Sequence, residues 1–85
     1  MKLPIIKHLA ENFDEDYLLE TVEVLESLSE ARGLKDEELE VIGELISNSL
    51  GAIEVINIVR DSDGKTDVRT AASDFMKRVL GSIDK

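Results

Sequence analysis

Eighty-five residues, a net charge of −9 and no cysteine allow one domain at most, with a modest core and neither disulfides nor a thiolate metal site to reinforce it. The charge is concentrated: residues 11–44 carry thirteen acids against Arg32 and Lys35, while residues 45–85 balance six acids with six bases. Such a surface lacks the clustered Lys and Arg that phosphate binding requires, so no nucleic-acid partner is expected.

Residues 1–10 lack an apolar leader segment, and no uncharged apolar run reaches about 18 residues. No signal peptide and no membrane span are expected, and the chain reads as cytoplasmic. Pro4 suits a first helical turn, where its missing N–H would be unpaired anyway. Ile5, Ile6, Leu9 and Phe13 then form a short apolar stripe, predicting a first helix over 4–12. Asn12 or Asp14 caps a second helix over 15–31. Tyr17, Leu18, Val22, Leu25 and Leu28 share one side of it, and Asp16, Glu20, Glu23, Glu26 and Glu30 share the other. Gly33 fits a left-handed residue after its last turn.

The run 36–60 reads as one long helix, opened by Lys35 or Asp36 with Glu37 and Glu38 in its first turn. At 100° per residue Val41, Leu45, Ala52, Val55, Ile56 and Val59 fill one side, and Leu39, Ile42, Ile46, Leu50 and Ile53 continue it. That arc exceeds half the circumference, where a surface helix needs an arc of only about 100°. Such a helix must be covered on two or more sides. Gly43, Ser47 and Gly51 fall on the narrow polar remainder. DSDGK, residues 61–65, is a turn, and Thr66 or Asp67 caps a fourth helix in which Val68, Ala71, Ala72, Phe75, Met76, Val79, Leu80 and Ile83 recur every three or four residues.

Recognisable chemistry is scarce. DSDGKTD matches a calcium loop only in its middle: with Gly64 at the sixth position, Val59 and Thr70 fall where ligands are required. An Asp/Gly turn is the simpler reading, and no metal is expected. His8 has no Cys, Ser or second His beside it in sequence and reads as a boundary residue. NSLGAIEVI, residues 48–56, resembles the DSL-containing segment of acyl carrier proteins, which implies phosphopantetheine attachment at Ser49. Asn48 stands where those proteins have aspartate, and residues 37–47 are helical in pattern where they have a loop. The carrier reading is therefore the alternative.

Across nearly its whole length, in MKLPIIKHL, LKDEELEVIGELISN and FMKRVLGSIDK, the chain resembles a family of small, acidic, all-helical bacterial proteins of unknown function. The resemblance implies a shared fold and no activity. The sequence thus predicts an all-α domain over 1–85, a four-helix bundle with a long central third helix, acting without catalysis or cofactor. Its expected role is protein–protein interaction. The expected form is a homodimer meeting through Ile46, Leu50, Ile53, Ile56, Phe75 and Val79, and a separate protein partner is the other candidate occupant.

Overall fold

The computed structural model describes residues 2–83, with side chains through residue 79. The chain forms α1 (Leu3–Asn12), α2 (Glu15–Ser29), α3 (Asp36–Asp61) and α4 (Val68–Ile83). No strand occurs among the described residues. This is the expected all-α architecture with the third helix longest, and α2 ends two residues short of the predicted Ala31.

The helix ends follow from local chemistry. Asp14 opens α2, its carboxylate accepting the Tyr17 N–H at 3.0 Å. At the start of α3 the Glu38 carboxylate accepts the Lys35 N–H at 2.9 Å, which satisfies one of the donors a helix N-terminus leaves unpaired. After α3 the Gly64 N–H donates to the Val59 carbonyl and the Asp63 N–H to the Arg60 carbonyl, the paired bonds of a Schellman turn. The turn puts Asp63 at φ 56° and Gly64 at φ 78°. Aspartate and glycine are the residues that tolerate this left-handed backbone.

Asp67 then caps α4, accepting the Thr70 N–H at 2.7 Å. Hydrogen bonds from the Thr70 backbone and hydroxyl hold the Asp67 carboxyl below its ordinary value of 3.8. A carboxyl depressed in the folded state stabilises it above the unfolded-state pKa and loses that contribution as pH falls through its own lower value. Asp67→Ala is therefore expected to melt at a lower temperature than the wild type at pH 7. The gap should close as pH drops below about 3.8, which paired thermal scans across that range will show.

Packing is organised around α3. The start of α2 meets the end of α3, where the Arg60 guanidinium donates to Glu15 at 2.7 Å, and Leu28 near the end of α2 lies beside Val41 and Ile42. The two helices are therefore antiparallel along their length. α1 runs parallel to α3, from the Lys2 N–H, which donates to Asn48 Oδ1 at 2.8 Å, to Ala10 beside Val59. α4 returns antiparallel, with Val68 near Val59 and Phe75 against Gly51. Among the described residues α2 packs on α3 alone, while α1 and α4 pack on α3 and on each other. The extents of 46 × 32 × 18 Å leave the molecule about two helices thick, so among the described residues no further layer closes over α3.

The core joins Ile6 of α1, Leu18 and Val22 of α2, Ala52, Ile53 and Val55 of α3, and Ala71 and Ala72 of α4. Sidedness on α3 departs from the helical projection. Asn48, Ser49 and Gly51 are buried, although Gly51 was expected on the polar side. Its hydrogen faces inward because α1 and α4 cross there: a Cβ at residue 51 would lie 3.0 Å from Ile6 Cδ1 and 3.3 Å from Phe75 Cε2. Gly43 meets nothing within 4 Å among the described residues.

The acids along α2 remain solvated. Asp16, Glu20, Glu23, Glu26 and Glu30 are all exposed, at spacings where like charges on a helix repel by a few tenths of a kcal/mol per pair. Screening shortens that repulsion to about 10 Å at 0.1 M salt. The melting temperature is therefore expected to rise between low and moderate sodium chloride. A fall over that range would mean that ion pairs such as Arg60–Glu15 outweigh the repulsion.

Candidate functional site

The N-terminal half of α3 carries exposed apolar side chains on a face that is packed further along the helix. Val41 and Leu45 share the helix face of Ala52 and Val59: Leu45 lies about two and four turns from them and Val41 about three and five. Ala52 is fully buried and Val59 packs on the core, whereas Val41 is 58% and Leu45 45% exposed. The cause is where α1 docks. Its N-cap, Lys2, lies level with Asn48, so the part of α3 before Asn48 runs past the end of the helix that covers the rest of this face.

Two open grooves follow. One, of about 480 Å³, lies at the closed end of the α2–α3 hairpin between Leu28, Leu34, Val41 and Ile42, with Glu37 and Glu38 on its rim. The other, of about 370 Å³, lies where α1 stops, between Ile5, Val41 and Leu45, with Glu40 and Glu44 above and Lys2 and Asn48 at its end. Val41 lines both, so the two grooves meet at this residue and together make an apolar channel along 37–48 of α3. Leu39, 38% exposed, extends the exposed apolar surface of the same helix half.

The six residues expected at an interface are not gathered on one surface. Ile53 belongs to the core at 7% exposure. Ile46, Ile56 and Phe75 are half-buried and pack against that core. Val79 is half-buried, and Leu50, 46% exposed, is the one that faces solvent. The sequence reading puts Val41 and Leu45 on the apolar arc but not among the contact residues, and Leu28 on the apolar side of the second helix. Sequence alone gave no sign of their exposure, because it depends on the level at which α1 docks.

Ser49 corrects the carrier alternative. α3 continues unbroken through Asn48 and Ser49, and Ser49 is 4% exposed. A phosphopantetheine arm needs an accessible hydroxyl at a helix start, and here the serine is inside a helix and inside the core. Asn48 is buried for a structural purpose, accepting the otherwise unpaired Lys2 N–H. The DSDGK segment is the expected turn, and no group of three or more His, Asp or Glu residues converges on a metal-sized site among the described residues. His8 is exposed, and its carbonyl accepts the Asn12 side-chain amide at 2.8 Å.

By length and composition α3 reaches the range of a membrane-crossing helix, with a window of mean hydropathy 1.3, 39% of it buried within the protein. A core helix of a soluble protein passes the same test. Residues 1–84 match the model of a family of unknown function, DUF6952. The chain belongs to this family. No curated protein and no solved structure matches it, so membership by itself assigns no activity.

Proposed function

We propose that this member of DUF6952 is a non-catalytic protein-binding module whose contact surface is the apolar channel on the first half of α3. The observation that carries this reading is the exposure of Val41 and Leu45 on a face that is otherwise packed. Leaving neighbouring apolar side chains in water forgoes roughly 25 cal/mol per Å², which a partner that covers them would recover. The long apolar helix is read as the core of a protein in the aqueous cytoplasm. Its Glu44 and Glu54 would each cost about 3 kcal/mol at the centre of a bilayer, and both lie within the stretch that would have to span.

Self-association through the channel is one way to cover it, and a two-fold pair is the simplest closed form. The direct test is affinity capture from the native cell with the wild type and with a Val41→Asp/Leu45→Asp variant side by side, both verified as folded by circular dichroism. A protein enriched by the wild type and absent from the variant supports the reading. Identical captures by the two would remove the channel as a contact surface. Sedimentation equilibrium at micromolar concentration reports separately whether the species is 9.4 kDa or twice that.

A further inference from the structure

We infer that the occupant of the α3 channel is a basic amphipathic helix from another protein, of about three turns. This rests on the protein-binding reading above and specifies the partner's chemistry.

The shape calls for a helix. The channel follows α3 from Glu37 to Asn48, roughly 17 Å at 1.5 Å per residue. Its Val41–Leu45 part lies on the face of α3 that α1 occupies from Asn48 onward, so a helix laid there continues a packing arrangement the fold already uses. Leu28, Leu34, Val41 and Leu45 offer a stepped apolar floor of the kind that receives side chains at i, i+3/i+4 and i+7.

The charge selects which helix. Asp36, Glu37, Glu38 and Glu40 are exposed along this half of α3, and the hairpin groove is lined by acids and apolar residues with no base among its described residues. Residues 11–44 hold thirteen acids and two bases, so the field over the channel is negative well beyond the rim. A partner with Lys or Arg flanking its apolar stripe is drawn in and held in register, since complementary potential raises the association rate and penalises wrong partners. A second copy of this chain fits poorly. Two-fold pairing through the channel would set each acidic rim against its own copy, and few bases relieve it: residues 28–48 hold only Arg32 and Lys35, and Lys2 is the single base that lines the two grooves.

The test uses the full chain and three helical peptides of about 14 residues, four turns each, with one leucine stripe and with flanking positions filled by Lys, Gln or Glu. Binding is read by fluorescence anisotropy at low and at high sodium chloride. The Lys peptide is expected to bind at least tenfold more tightly than the Gln peptide, and the Glu peptide not at all. High salt should erase the difference between Lys and Gln. Glu37→Gln/Glu40→Gln, which leaves the Glu38 cap in place, should weaken the Lys peptide by about tenfold without lowering the melting temperature, and Val41→Asp should abolish binding. Equal binding of the Lys and Gln peptides would overturn the charge inference and leave the protein-binding reading standing. Absence of Lys-peptide binding together with a dimer in sedimentation would overturn the inference in favour of self-association. Absence of binding by a monomer would overturn it too, and the capture experiment then decides the broader reading.

Discussion

Ile53→Glu is expected to leave the chain unfolded at neutral pH, while Leu50→Glu, three residues away on the same helix, folds normally. Ile53 is 7% exposed within the core cluster and Leu50 is 46% exposed. A carboxylate at residue 53 would enter the apolar cluster that also holds Leu18, Val22 and Val55. Burying an unpaired charge costs several kcal/mol even after relaxation. A chain of this length has only about 4–13 kcal/mol of total stability at typical values per residue, so the substitution removes most or all of it. Leu50→Glu, a surface change, should stay within about 0.5 kcal/mol. Far-UV circular dichroism and urea unfolding measure both. A wild-type unfolding curve for Ile53→Glu would mean that α2 does not pack on α3 as described. The pair also separates folding from association: Ile53 was an expected contact between copies, and the structure makes it a contact within one.

The helices were legible because their signals are local. Pro4, Asp14 and Asp67 mark starts, the Asp63–Gly64 turn marks a stop, and apolar spacing fixes the segments between them. Even the central place of α3 could be read, since an arc of more than half a turn has to be covered from several sides. Which part of the arc ends up covered could not be read. A projection assigns Val41, Leu45, Ala52 and Val59 to one face and treats them alike. The fold divides them, because α1 has ten residues and spans roughly 15 Å against about 39 Å for the 26 residues of α3. Pro4 says where α1 begins along the chain and nothing about the level on α3 at which it docks. That level is set by long-range matches, the Lys2 N–H on Asn48 and Ile6 in the notch at Gly51. Each joins residues some 45 positions apart, beyond the reach of periodicity. The same matches explain why Asn48, Ser49 and Gly51, small or polar by sequence, are buried.

The notch at Gly51 supports the second large effect. Ile6 is fully buried where α1, α3 and α4 meet, and Ile6→Ala is expected to destabilise the fold by about 3 kcal/mol, within the usual range for deleting a buried isoleucine side chain. For a domain of this size that lowers the melting temperature by roughly 12–24 °C. Gly51→Leu attacks the junction from the other side. Even its Cβ would stand 3.0 Å from Ile6 and 3.3 Å from Phe75, so the larger side chain must push α1 or α4 outward, at a cost of about 2–3 kcal/mol. Gly43→Ala provides the control. Residue 43 is helical and unobstructed among the described residues, so alanine there gains its full helix-propensity advantage of about 1 kcal/mol. Because Ile6 and Gly51 share one volume, their substitutions should not add. In the double variant Ile6→Ala/Gly51→Leu the leucine enters the space the isoleucine vacates, and the combined loss should fall short of the sum by 1 kcal/mol or more. Urea unfolding of the two single variants and the double variant gives that coupling directly. Strict additivity would show that α1 does not seat Ile6 against Gly51, and the reason given for the exposure of Val41 and Leu45 would fall with it.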